Sequence, residues 1–532
     1  MVPIDMNESV PGTEYLIDLH RDNDVSHNGR SDVVLLPQPT HSGADTLRWR
    51  QAKKYWHLFL LALYACAFSF GENTLGAAWT TVSEDTGVSI DYMNAGSALN
   101  YLLLGFGNIF WIPAAMKLGR RPVFLATTAI CLGAAIWTGS FHGLAQWFLS
   151  QIMNGVGTSA YQAVIQLSIF DMFFVHERGR ALTCYLFGQQ LGSIIGLITG
   201  GRMADTVGWR WSQYIVAIIE GFVFVLMLFS FEETLFPRFL FPSNGASTFD
   251  ANTIQLTAYE DHERRDEVNQ AKRAADAKLP PSPPCGSFRA DAGTGLVTYF
   301  VRPFFLFGFP NVVISGLIFA FGCTAGIVTF NTISEVLTSK PYDFTTTATG
   351  LMFLAALVGN IVGLATGVLG DYIVLRLARR NGGVKEPEMR LWTLCISSLY
   401  AATGYFLYGW GAEEGANWSS IAFGIGCVIS HQVSACSVAT AYAMECFPGI
   451  SGELVVVLAI CSSCVNFAIS YSVQPFIDAA GYGWVFTFYG VCVVLSMAAA
   501  VPMMWWGKSW RRRCAKTYCS FLDKKSKVHG LD

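Results

Sequence analysis

Between residues 55 and 506 the chain is a succession of long apolar runs cut by short polar turns. A membrane-crossing helix needs ~20 mostly apolar residues to span ~30 Å of hydrocarbon. Twelve stretches are long enough: 55–79, 95–116, 122–141, 144–170, 181–201 and 211–231, then 303–330, 345–370, 391–411, 418–444, 452–477 and 483–506. In a bilayer every backbone N–H and C=O must be satisfied within the protein, so apolar runs of this length are read as helices. Composition agrees. With 52% hydrophobic and 14% charged residues among 532, there is too little polar surface to cover several soluble domains, and the bilayer has to be the solvent. The fold class is an all-α membrane protein of about twelve transmembrane helices, and nothing in the charge distribution points to nucleic acid.

The same pattern divides the chain. Residues 1–54 read as a disordered tail, 55–231 as a six-helix half, 232–302 as the one long interior loop, 303–506 as a second six-helix half, and 507–532 as a basic tail. Within the loop "EDHERRDEVNQAKRAADAK" has helix-forming composition, whereas "LPPSPPCG" must be extended or turning. No signal-peptide core precedes the first span, so that span is expected to target the chain itself.

Lys and Arg then set the orientation. The turns after spans 2, 4 and 8 carry Lys117, Arg120 and Arg121, then Arg178 and Arg180, then Arg376, Arg379, Arg380, Lys385 and Arg390, whereas the opposite turns carry Arg202, Arg210 and Lys340. Both termini are expected in the cytoplasm, with the plasma membrane as the expected location and a vacuolar membrane left open. The turn after span 10 breaks the pattern by carrying no cation. Asn417, in "NWS", falls on the outer side and is a glycosylation candidate, while the sequon at Asn7 lies inside.

The turn "KLGRRP" packs Lys117, Arg120 and Arg121 around Gly119. Gly119 permits a tight turn at φ > 0, and Pro122 suits the first turn of the next helix. After span 8 comes "GVLGDYIVLRLARRN", again with an Arg pair just past the second helix of a half and on the same face. This is the internal pseudo-repeat of a transporter built from two parallel six-helix halves.

On these residues the chain resembles the major facilitator superfamily, and within it the twelve-span drug:proton antiporter branch of fungi. The family's loop motif runs G-x-L-a-D-r-x-G-R-R/K. Gly119, Arg120 and Arg121 match its end in the first copy, and Gly367, Leu369 and Asp371 its start in the second, with Ile112 and Met116 standing where the family has Gly and Asp. The resemblance implies a gating loop of Lys117, Gly119, Arg120, Arg121 and Asp371, in which Asp371 supplies the acid that the first copy lacks. Span 5, "GQQLGSIIGLITGG", sets Gly188, Gly192, Gly196 and Gly200 on one stripe where another helix can approach closely. The branch motif G-x-x-x-G-P-x-x-G-G is met by Gly192, Gly196, Gly200 and Gly201, with Leu197 in place of Pro. In span 4 Asn154, Gly155 and Gly157 resemble R-x-x-q-G-x-G, with Gln151 at the Arg position.

The resemblance places spans 1, 4, 7 and 10 around a central cavity, and ionisable groups at membrane depth are functional candidates by default. Glu72 in span 1, with Asn73 beside it, either faces that cavity or is an outer-interface or packing carboxylate. Glu220 in span 6 reads as hydrogen-bonded between helices or protonated. Asp171, Glu335 and Glu445 sit at span ends, where a solvated or loop-pairing carboxylate is usual. In span 4 Asn154, Thr158, Gln162 and Gln166 recur every four residues with Tyr161 adjacent, a polar stripe that must face protein or water. It serves as interhelical glue or as substrate contact. Span 7 adds Asn311 and Asn331, and span 10 adds His431 and Gln432.

The fourteen cysteines are scattered through apolar segments, a pattern of small core residues and not of disulfides. No P-loop, HExxH pair or nucleophile elbow is present, so neither enzyme chemistry nor a cofactor or metal is expected. The function read from the chain is alternating-access transport by a monomer, with export of a small amphipathic drug or secondary metabolite in exchange for protons. Uptake of an organic cation such as a polyamine is the alternative on the same fold, and a non-transporting sensor the alternative from another class.

Overall fold

The computed structural model describes residues 10–15, 37, 45–76, 79–236, 296–344 and 346–528. The helix-forming stretch of the central loop, its proline-rich end and Asn7 lie outside the described residues.

The first half contains α1 (Gln51–Thr74), α2 (Trp79–Thr86), α3 (Ile90–Phe106), α4 (Asn108–Leu118), α5 (Arg120–Ser140), α6 (Leu144–Met172), α7 (Val175–Thr206) and α8 (Trp209–Ser230). The second contains α9 (Leu296–Phe305), α10 (Pro310–Thr338), α11 (Thr346–Arg380), α12 (Thr393–Glu413), α13 (Trp418–Cys446), α14 (Ser451–Ala498) and α15 (Ala500–Val528). Two expected spans are cut differently. Span 1 ends at Thr74, and the residues after it form the separate helix α2. Span 7 begins at Pro310, because the expected start, 303–309, belongs to α9 and a short 3-10 turn.

Span 2 is one pass with a local break at Gly107. Pro113 lies inside α4, where it has no N–H to donate and crowds the preceding turn. Spans 11 and 12 run together as α14, divided at Gly481 (φ 78, ψ 168). That left-handed conformation is open to glycine at no steric cost. The Glu413 carboxylate accepts the Tyr482 N–H at 2.8 Å and caps the helix that follows.

Packing repeats between the halves. In each half the first and fifth spans pair, as do the second and fourth, the third and fourth, and the third and sixth. The halves meet where α7 packs on α11 and α3 on α14. Aromatic residues fill the interior of the first half, with Tyr64 against Phe68 at 4.3 Å and Phe68 against Tyr161 at 6.2 Å between ring centres. On α8, by contrast, Ile218, Phe222, Val225 and Phe229 are exposed at helical spacing, the stripe expected to meet lipid.

The tails differ from the disordered reading. Asp45 caps a turn of 3-10 helix over Thr46–Arg48 through its hydrogen bond from the Leu47 N–H, and residues 51–54 are already part of α1. Farther back, the strand β1 (Glu14–Tyr15) pairs antiparallel with β2 (Val384–Lys385) of the turn after span 8. The expected basic tail from 507 is helical as far as Val528.

Candidate transport pathway and gate

A narrow, partly open cleft with room for little more than a water molecule, about 20 Å³, lies between the halves, where α6 and α7 face α10 and α13. Gln162, Gln189 and Gln190 line it from the first half, and Phe319, Cys323, Gln432 and Cys436 from the second. The lining is made of amides, thiols, rings and aliphatic side chains, with no formally charged group among them.

Glu72 stands behind this wall. Tyr161 Oη donates to Glu72 Oε2 at 3.0 Å, and Gln189 Nε2 donates to Tyr161 Oη at 3.4 Å, so the carboxylate is joined to the cavity through two side chains. Its second oxygen, Oε1, is enclosed with no hydrogen-bond partner among the described residues. Glu220 approaches from α8. A methyl group added at Gly71, next to Glu72, would lie 3.3 Å from Glu220 Oε1. The absence of a side chain at Gly71 thus lets α8 approach α1, with the buried Glu220 carboxylate facing the residue before the half-buried Glu72.

The other candidates separate into cavity and scaffold. Gln162 and Gln432 reach the cavity with enclosed amide oxygens that have no described partner. Gln166 is buried one turn farther on, and Thr158 bonds back to the Asn154 carbonyl at 2.9 Å, while Asn154 is half-buried. Asn73 belongs to the scaffold, donating to the Ser69 carbonyl at 2.8 Å and to Ser193 Oγ at 3.3 Å. So does His431, whose Nδ1 lies 3.0 Å from Ser397 Oγ and ties span 10 to span 9. Asn311 is a correction to the cavity reading: it sits in the first turn of α10 and donates to Tyr442 Oη at 2.7 Å and the Gly507 carbonyl at 3.3 Å. Asn331 lies on α10, and its side chain is outside the described residues.

The gating loop also needs correction. Gly119 turns at φ 106, and the Glu233 carboxylate accepts the N–H groups of Arg120 at 2.8 Å and Arg121 at 3.1 Å. The Arg120 guanidinium reaches Asp171 at 3.1 Å. Lys117 is half-buried in the last turn of α4. The acids serving this copy are therefore Asp171, from its own half, and Glu233, from the start of the central loop. Asp371 works across the halves instead. Its Oδ2 accepts the Arg180 N–H in the first turns of α7 at 2.7 Å, and its Oδ1 pairs with Arg390 at 2.7 Å. Arg180 lies in the second turn of α7, so this bond ties the start of that helix to α11.

Arg390 also pairs with Glu445 at 2.8 Å, and Glu445 with Lys385 at 2.9 Å. The cation-free turn after span 10 is thus met by cations of the neighbouring turn. Burial works against the Arg390 charge, but Glu445 and Asp371 outweigh it and hold its pKa above the ordinary arginine value. Position in the sequence marks these cations only as orientation signals. The alternation of charge in "VKEPEMR" was the available signal that they pair.

On α7 the glycine stripe lies against the backbone of α1. Methyl groups added at Gly188 and Gly196 would lie 2.8 Å and 2.7 Å from the carbonyls of Ala62 and Phe70, and Gly192 and Gly200 are closer still to those of Cys66 and Thr74. Gly201 is buried beside them. Gln151, at the family's Arg position, accepts from Asn100 at 3.3 Å. Asn417 is exposed and caps α13 through its hydrogen bond from the Ser419 N–H at 3.1 Å.

Two six-helix halves with matched packing, a cavity between them and an ion-paired contact at one end define a membrane transporter of the twelve-helix, two-half class. The major facilitator superfamily model matches residues 61–452, and the chain belongs to that family. It is similar to an uncharacterized MFS-type transporter of Schizosaccharomyces pombe, at 28% identity over 99% of this chain and 97% of the relative. It is also similar to the efflux pump bik6 of Gibberella fujikuroi, at 24% identity over 87% of this chain and 91% of the pump. Among solved structures the proton:xylose symporter XylE shares the fold, with a TM-score of 0.56 and 14% identity over 86% of this chain and 96% of that one.

Proposed function

We propose that this transporter exports a small amphipathic organic compound in exchange for protons, with its Lys- and Arg-rich face in the cytoplasm of a cell whose plasma membrane it occupies. The observation that carries the reading is the relay from the cavity through Gln189 and Tyr161 to the enclosed Glu72. A carboxylate in that position can take up a proton when the cavity opens to one side and release it on the other. The amide and aromatic lining supplies hydrogen bonds and apolar contact without demanding charge on the substrate. Similarity to a fungal efflux pump supports the direction.

The approach of Glu220 to α1 at Gly71, the residue before Glu72, favours a second reading, in which the carboxylates receive an organic cation during uptake. Neither has an ion-pair partner among the described residues. Reconstituted vesicles with Glu72→Gln separate the two. Under the exporter reading, accumulation driven by an imposed pH gradient is lost while downhill exchange of the same compound survives. Under the cation reading, affinity for cations falls and neutral compounds are spared. Unchanged transport of every compound between about pH 5 and 8 would sink both, since a coupling or cation-binding carboxylate must respond to its protonation state.

A further inference from the structure

We infer that residues 10–15 are a docked strap that holds the gate contact shut from the face bearing both termini. The seat belongs wholly to the second half. Val10 is buried, and the backbone turns at Gly12 with φ 79. A methyl group added at Gly12 would lie 2.9 Å from the Cys446 carbonyl and closer still to that of Glu445, so the turn rests directly on the end of α13. β1 then continues along β2, with Glu14 opposite Lys385 and Tyr15 opposite Val384.

Arg511 clamps the strap from α15. It is fully buried, pairs with Glu388 at 2.7 Å, and turns Nη1 toward the Pro11 carbonyl and Thr13 Oγ1. Removing the strap would take those acceptors from a buried guanidinium, which is costly.

The seat is also continuous with the gate. Lys385 of β2 holds Glu445, Glu445 holds Arg390, Arg390 holds Asp371, and Asp371 accepts the Arg180 N–H of the other half. The strap fixes one end of this chain of ion pairs twice, by its strand pairing on Lys385 and by its turn on the backbone of Glu445. With the strap in place the Arg390 side chain is held toward Asp371. Without it, the turn carrying β2 and Arg390 gains freedom, and parting of the halves at this face becomes easier. The inference concerns regulation by the chain's own N-terminal segment and does not depend on which compound is carried.

Hydrogen exchange of the full chain in lipid nanodiscs tests this, comparing the native protein with Gly12→Val and with a chain lacking residues 1–15. Gly12→Val places a branched side chain where φ and space both forbid it. In both variants residues 384–390 and 176–184 should exchange about tenfold faster, the effect of losing one hydrogen bond to a charged group, with α5 and α8 unchanged. Three outcomes would overturn the inference. In one, residues 10–15 are unprotected in the native chain. In another, 384–390 loosens while 176–184 keeps its native rate. In the third, exchange rises throughout the bundle, which would make the strap a folding element and not a latch.

Discussion

Asp371→Asn should open the contact between the halves. Asp371 makes two bonds that require acceptors on both oxygens: Oδ2 takes the Arg180 N–H at 2.7 Å and Oδ1 takes the Arg390 guanidinium at 2.7 Å. An asparagine can satisfy one of them, and its NH2 then faces a second donor. Arg390 keeps Glu445, so the loss is smaller than for stripping a buried charge of every partner. One hydrogen bond to a charged group contributes about 1.5–3 kcal/mol. Its loss shifts an opening equilibrium by roughly 10- to 140-fold at about 1.4 kcal/mol per decade.

Spin labels at the exposed Leu118 and Arg379 positions, one in each half, report the separation when exposed native cysteines are replaced. The native chain should give one short-distance population, and Asp371→Asn should add a longer one. Arg120→Gln should not, because Arg120 bonds to Asp171 and the Ala115 carbonyl within its own half. Identical distance distributions for Asp371→Asn and the native chain would refute the reasoning, as would a longer population in Arg120→Gln alone.

Gly192→Leu should lower the melting temperature in detergent more than Gly196→Leu, because Gly192 lies closer to the α1 backbone and overpacking costs about 1–3 kcal/mol or more where backbone must move; equal melting temperatures would count against the glycine contact. On the opposite face Asp85 accepts from Trp209 at 3.0 Å and pairs with Arg210, which together hold its carboxyl below the ordinary aspartate range. A depressed acid stabilises the fold above its unfolded pKa and loses that effect as pH falls through the folded value. The stability difference between native and Asp85→Asn chains should therefore be present at neutral pH and fall away only as pH drops below the unperturbed value of about 3.9. If Asn417 faces the exterior, expression in a glycosylating host should give a band that enzymatic deglycosylation shifts. Asn417→Asp should abolish the shift while keeping the α13 cap, whose loss to alanine costs about 0.5–2 kcal/mol.

The length and number of the apolar runs determine that this chain is a bundle of membrane helices, because the thickness of hydrocarbon and the need to satisfy every backbone group leave no other solution. The repeat of the Arg pair after spans 2 and 8 carries the two-half plan, and the four-residue glycine spacing on span 5 marks a close helix contact, since helical periodicity is a local property. What the sequence does not carry is which partner each polar group finds. Asp371 and Arg120 look like two parts of one motif, yet the fold pairs Asp371 with Arg390 and the start of α7, and Arg120 with Asp171. Asn73 and Glu72 are neighbours in the chain, but successive helical residues point about 100° apart. One therefore bonds α7 as scaffold, and the other meets Tyr161 behind the cavity. A polar tail with no periodicity carries no sign of a seat, because the strand partner of residues 14–15 lies at 384–385 and the clamp at Arg511. Contacts across such distances exist only once the helices have brought their ends to one face, and there the tertiary structure decides what the charges do.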